Sequence, residues 1–281
     1  MTHTAGNTTQ STAGRKTIAQ MFEMSRARSE IALMPFVAAG YPDLATMAAV
    51  LPVMERAGAS MIEIGIPFSD PIADGPTIQE AFNDALTRKV KVSQILETVA
   101  GARASVSIPL VAMVSYSVVF RYGVDRFLID AKQAGFDGLI LPDLPPPEGQ
   151  AVCDKVRGAG LDTVLLVAPT TTEKRREEIA RLSSGFIYYL SISGITGERD
   201  KLPANLPGNV KQLKQMTDTP VCVGFGVSRR EHVTDLRDKA GADGAIVGSA
   251  IVKRMKQFAP DGVDRISAEV GQYCRELLGG V

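Results

Sequence analysis

The sequence predicts a single-domain α/β fold, a closed (β/α)8 TIM barrel over residues 17–281. Three observations carry that reading. Eight short apolar runs are spaced along the chain, helical patterns separate them, and one joint from helix to strand recurs four times. Alternating strands and helices imply parallel strands joined by crossover helices. Eight such units in about 250 residues have the size of a closed barrel. An open doubly wound sheet is the alternative. No Gly-x-Gly-x-x-Gly follows the first apolar run, which argues against the dinucleotide-binding form of that fold.

Taken in order, residues 1–16 are rich in Thr, Ser, Gly, Asn and Gln and offer little to bury, so they are expected to form a disordered polar leader. They lack the apolar stretch of a secretory signal. The first buried run is 33–39, and a helical pattern follows at 44–56. Ala57-Gly58-Ala59-Ser60 then leads into the second run, 61–65, and the third run is 110–114. A pattern at 124–134 ends in Ala134-Gly135-Phe136-Asp137 and enters the fourth run, 138–141. A pattern at 149–157 reaches Ala159-Gly160-Leu161-Asp162 and the fifth run, 163–167. Patterns at 173–182 and 209–216 precede the sixth and seventh runs, 186–190 and 221–224. A last pattern at 229–240 ends in Ala240-Gly241-Ala242-Asp243 before the eighth run, 244–247. Gly is the favoured residue just past a helix C-terminus. Continuous apolar runs suit strands that are buried on both faces.

Composition narrows the function. The 31 basic and 31 acidic residues cancel, so no strong field is available to draw nucleic acid or an anionic membrane. No apolar run approaches the roughly 18 residues of a membrane span. Cys153, Cys222 and Cys274 are too scattered for a disulfide framework, and His3 and His232 cannot build a His-based metal site. The set fits a reducing cytoplasm. Any anionic ligand must be held by local geometry.

Active sites of barrels form where strands end and loops begin. Glu63 is the odd residue in Met61-Ile62-Glu63-Ile64-Gly65-Ile66. Side chains alternate along a strand, so the isoleucines share the helix-facing side and Glu63 points inward with Met61. Desolvation there raises a carboxyl pKa, which suits a group that gives and takes a proton near neutral pH. The alternative is a structural ion pair with a buried Lys or Arg. Asp74, in the turn-rich loop that follows, is a second acid. It lies just ahead of Pro76, so helix capping competes evenly with catalysis. A second carboxylate within reach of Glu63 would give an acid/base pair separated by environment.

Three successive strands end in glycine turns: Ser193-Gly194-Ile195-Thr196-Gly197, Gly224-Phe225-Gly226 and Gly248-Ser249-Ala250, where Ser249 opens a helical pattern. Glycine lets backbone N–H groups approach an anion, and a helix N-terminus adds its positive dipole end. Barrels often bind phosphate at the loops after strands seven and eight.

Together with Pro35-Phe36-Val37-Ala38-Ala39-Gly40-Tyr41-Pro42-Asp43 and the block from Glu63 to Pro76, these turns make the chain closely resemble the tryptophan synthase alpha family from Thr17 onward. The block 63–76 is highly specific, whereas the glycine turns are shared with other phosphate-binding barrels. The resemblance implies retro-aldol cleavage of indole-3-glycerol phosphate to indole and glyceraldehyde 3-phosphate, a step of tryptophan biosynthesis. Glu63 would be the main acid/base, Asp74 would bond the indole N–H, and Tyr188 would help position Glu63 or the substrate. Thr196 would sit in a closing loop that orders Asp74. Backbone groups at Gly197, Gly226, Gly248 and Ser249 would bind phosphate, and Phe36, Met113 and Phe225 would line the indole pocket. No metal or organic cofactor is expected in this chain. The resemblance implies a partner beta subunit in an α2β2 assembly, which would receive the indole and carry pyridoxal phosphate. The sequence departs from the family at Ser115-Tyr116-Ser117, where members often carry Tyr and Asn in a loop near the partner. A different phosphate-binding barrel would lack the 63–76 block, and a non-catalytic partner-binding barrel would leave Glu63, Asp74 and Thr196 without a joint explanation.

Overall fold

The computed structural model describes residues 14–70, 74–190, 203–224 and 226–280. Among them, eight strands pair in parallel and in sequence order into a closed barrel. They are β1 (Ala32–Ala38), β2 (Ile62–Gly65), β3 (Leu110–Met113), β4 (Gly138–Ile140), β5 (Asp162–Val167), β6 (Ile187–Leu190), β7 (Val221–Gly224) and β8 (Gly244–Val247). The ring closes where β1 pairs with β8, Ala32 opposite Gly244 and Pro35 opposite Val247. Each apolar run read from the sequence is a strand, with ends shifted by a residue or so, the usual uncertainty of such boundaries.

Helices cover the outside: α1 (Ile18–Ala27), α2 (Leu44–Arg56), α3 (Pro76–Thr87), α4 (Val92–Ala102), α5 (Tyr116–Tyr122), α6 (Val124–Ala134), α7 (Pro146–Gly158), α8 (Glu173–Leu182), α9 (Leu206–Met216), α10 (Arg230–Asp238), α11 (Ser249–Phe258) and α12 (Val263–Leu278). Local chemistry starts and stops them. Thr17 and Gln20 form a reciprocal capping box at the head of α1. The Asp43 carboxylate accepts from the Thr46 N–H at 2.7 Å and caps α2. At the four recurring joints, Gly58, Gly135, Gly160 and Gly241 all have φ between +67° and +99°, a region that a side chain would strain.

The fourth residue of the joint has a function of its own. Asp137 Oδ2 accepts from the Leu110 N–H at 3.0 Å, and Asp243 Oδ2 accepts from the Val221 N–H at 2.9 Å. Each therefore satisfies the first N–H of the neighbouring strand, β3 or β7, at the N-terminal end of the barrel. Asp162 instead accepts from Ser184 Oγ at 2.7 Å.

Asp137 also organises that end. Its carboxylate bonds Arg103 Nη2 at 2.8 Å and Arg15 Nη2 at 3.0 Å, and the Arg103 side chain is only 2% exposed. Arg103 donates further to the carbonyls of Val106 and Ile108. Most of the expected leader, residues 1–13, lies outside the described residues. Its last two residues are tied down, because Arg15 also bonds the Gly135 carbonyl and the Lys16 N–H bonds the Ser107 carbonyl. Among the described residues, bonded structure therefore includes Arg15 and Lys16, ahead of the expected boundary at Thr17. Among the described residues, no helix is long and apolar enough to cross a membrane.

Candidate active site

A narrow cavity of about 60 Å³ opens at the C-terminal ends of the strands. Glu63 and Asp74 face it, with Phe36, Met113 and Tyr188 on its walls and Gly226, Gly248 and Ser249 at one end. A second cavity of about 320 Å³ shares Asp74 and Met113 with the first and extends past Phe68 to Ser115 and Asp143. Together they fall within the range of small-molecule sites, about 300–1,000 Å³.

The alternation of β2 puts Glu63 inside. It is 1% exposed, and its Oε2 has no hydrogen-bond partner among the described residues. Burial, and secondarily the Asp74 carboxylate, push its pKa up to about 8. Among the described residues no Lys or Arg pairs with it, so the ion-pair alternative has no partner. Asp74 is half-buried, and burial raises its pKa to about 6. Its side chain does not cap α3. The cap position is Gly75, Pro76 opens the helix, and Asp74 contributes its carbonyl to Gln79 Nε2 at 2.8 Å. The two acids therefore differ near neutral pH: Glu63 keeps its proton while Asp74 is mostly ionised.

Two aromatic rings cross the mouth by the same diagonal device. Phe36 is opposite Glu63, and its ring occupies the space beside Gly65, where a Cβ would come within 2.5 Å of it. Tyr188 is opposite Cys222, and its hydroxyl would lie 2.3 Å from a Cβ on Gly224. Tyr188 is the second residue of β6, two residues before its end. Burial, then the Glu63 and Asp74 carboxylates, raise its phenol well above the ordinary value, so it remains a neutral hydrogen-bond donor.

The start of α11 opens onto the cavity. Gly248 is the N-cap of α11, no acidic residue occupies the first turn, and Gly248, Ser249 and Ala250 line the space. The N–H groups of a first helical turn have no partner within the helix and carry the positive end of its dipole. Gly226, with φ +72°, brings the turn after β7 to the same place.

Eight of the eleven residues expected from the sequence thus gather on one cavity: Glu63, Asp74, Tyr188, Phe36, Met113, Gly226, Gly248 and Ser249. Thr196, Gly197 and Phe225 lie outside the described residues. Sequence reasoning did not single out Ile78, Val227, Ile246 and Ala250, which also line the space. Apolar residues in apolar surroundings carry no local mark of such a role. The link between Ser115 and Asp143 was equally hidden: Ser115 Oγ donates to Asp143 Oδ2 at 2.6 Å and the Tyr116 N–H to Oδ1 at 2.7 Å, joining the loops after β3 and β4.

The family model described as Tryptophan synthase alpha chain matches residues 22–278. The tryptophan synthase alpha chain of Prochlorococcus marinus strain MIT 9313 is 44% identical over 261 residues, covering 93% of this chain and 94% of that one. That of Synechococcus sp. strain CC9902 is 44% identical, covering 92% and 95%. Among solved structures, Mycobacterium tuberculosis tryptophan synthase aligns with a TM-score of 0.83 at 35% identity, over 94% of this chain and 98% of that one. The alpha subunit from Pyrococcus furiosus gives 0.81 at 37% identity, over 88% and 98%. A barrel whose buried Glu63 and Asp74 share a cavity with the N-terminus of a helix, matched along nearly its whole length, belongs to the tryptophan synthase alpha chain family.

Proposed function

We propose that this cavity carries out the family's lyase reaction, retro-aldol cleavage of indole-3-glycerol phosphate, with Glu63 as its proton carrier. The observation that carries the assignment is the buried Glu63 carboxyl, unpaired among the described residues and pushed up to about 8 beside a more acidic Asp74. Protonated Glu63 donates to indole C3 and leaves a cation delocalised over the ring nitrogen. Ionised Asp74 accepts from the indole N–H and stabilises that cation. The Glu63 carboxylate then takes the hydroxyl proton on the adjoining carbon. The carbon–carbon bond breaks, its electrons return to the ring, and the aldehyde of glyceraldehyde 3-phosphate forms. Glu63 ends as it began, protonated. Splitting two carboxyls by environment is the general route to acid/base work at neutral pH.

Tyr188 orients Glu63 or the substrate, and Phe36 and Met113 hold the indole ring, with Phe225 as a further wall residue. Backbone groups at Gly197, Gly226, Gly248 and Ser249 bind the phosphate, and Thr196 belongs to a loop that closes over the site. The proton steps use side chains of this chain alone and require no cofactor in it. The resemblance further suggests a cytoplasmic α2β2 assembly in which a beta subunit, with pyridoxal phosphate, consumes the indole.

The reverse reaction tests the assignment. Purified chain mixed with indole and glyceraldehyde 3-phosphate should form indole-3-glycerol phosphate, faster when a beta subunit is added. Formation without acceleration would keep the chemistry and remove the coupling. No formation by folded protein, with or without the beta subunit, would overturn the proposal.

A further inference from the structure

We infer that His232 and Tyr273 are positioning residues that clamp the anion-binding turn after β7. The inference rests on the phosphate reading given above. Gly226 and Val227 line the cavity, and Ser228 follows them directly. The Ser228 N–H donates to His232 Nδ1 at 3.3 Å, and the Ser228 carbonyl accepts from the Tyr273 hydroxyl at 2.8 Å. His232 belongs to α10 and Tyr273 to α12, so both polar groups of one backbone residue are held from two different helices. Both side chains are buried, at 4% and 5% exposure. The guanidinium of Arg254 stacks on the Tyr273 ring, 3.8 Å from its centroid, and restrains the ring in turn.

Helix capping alone does not account for this arrangement. Arg229 is the N-cap of α10 and offers no side-chain cap bond. His232, at the third helical position, reaches past that cap to Ser228. The second bond comes from 45 residues away and holds a carbonyl, which satisfies no donor of α10. What the pair does fix is the orientation of the peptide groups just beyond Gly226. Backbone donors bind an anion well when they are aimed before it arrives.

Because Nδ1 acts as an acceptor, His232→Asn keeps an acceptor near the same point, whereas His232→Leu removes it. Tyr273→Phe deletes the second bond and keeps the ring. The measurement is the affinity of the full-length chain for inorganic phosphate and, separately, for indole, with thermal unfolding as a control for folding. His232→Leu and Tyr273→Phe should each weaken phosphate binding about 3- to 10-fold, the range of one lost hydrogen bond. Indole affinity should hold, KM for indole-3-glycerol phosphate should rise more than kcat falls, and His232→Asn should recover most of the loss. Lower melting temperatures with unchanged phosphate affinity would overturn the clamp. Gly226→Val separates the two readings: if it abolishes phosphate binding while the clamp variants do not, the site stands and the clamp falls. If Gly226→Val leaves phosphate binding intact as well, both fall.

Discussion

The two ends of this barrel treat the same kind of residue in opposite ways. At the N-terminal end, Asp137 is surrounded by donors: two arginines and the first N–H of β3. At the C-terminal end, Glu63 is more deeply buried yet has an oxygen with no partner among the described residues, and the charge that acts on it is another acid. One carboxylate is bonded by donors from three parts of the chain, while the other is kept protonated by burial and by the acid beside it. Bonded charge at the closed end stabilises the barrel, while a buried, protonated carboxyl at the open end stores the means to move a proton. The contrast gives physical content to the division of (β/α)8 barrels into a stability face and a catalytic face.

The comparison can be broken at several points. The largest effect should come from Glu63→Gln, which removes the proton but keeps the shape: kcat should fall about 10²–10⁴-fold with the melting temperature preserved or raised. Near-normal turnover would end the role assigned to Glu63. Next, Asp137→Ala should cost about 3–5 kcal/mol in chemical denaturation, because it strands the buried Arg103 charge. Its kcat, measured where the protein is still folded, should be unchanged, and a parallel loss of kcat would erase the distinction between the ends.

The third effect is a pH slope. An unfolded chain ionises Glu63 near its ordinary value of 4.5, while the folded protein keeps the proton up to about 8. Between those values the unfolded state binds fewer protons, so stability falls as pH rises, by about 1.4 kcal/mol per unit. This contribution is full below pH 4.5 and lost above about 8. Asp74 adds a similar slope that ends near 6, so the range from pH 6 to 8 isolates Glu63. Denaturation across that range should lose this component in Glu63→Gln, and an unaltered slope would mean that Glu63 is ionised in the fold. The smallest effect belongs to the N-terminal end again. Lys214→Gln removes a half-exposed partner of Asp243, and its cost should stay under about 1 kcal/mol.

Much of the architecture was legible because burial on both faces leaves a visible trace. The eight apolar runs are the eight strands, and the Gly of each joint has the positive φ that its position suggests. Helices with a weak local signal were harder to find. α4 has Lys91 at its N-cap in place of a Ser, Thr, Asp or Asn, and α5 is a single short stretch rich in valine and aromatics. Glu63 stood out as a charge inside an apolar strand. The roles of Asp137 and Asp243 did not, although both positions were noticed, because their partners lie from 22 to more than 100 residues away in the chain. The clamp on Ser228 was hidden for the same reason, since Tyr273 is 45 residues distant.

The diagonal pairing of Phe36 with Gly65 and of Tyr188 with Gly224 has a consequence for redesign. Each ring borrows the volume that its neighbour's missing side chain leaves. A library that varies one member of a pair will mostly sample collisions or holes. One that exchanges bulk within a pair, enlarging the glycine while trimming the ring, moves a wall of the pocket from one strand to the next at nearly constant volume. New substrate shapes should therefore be found among double exchanges, with each single step as an unfit intermediate.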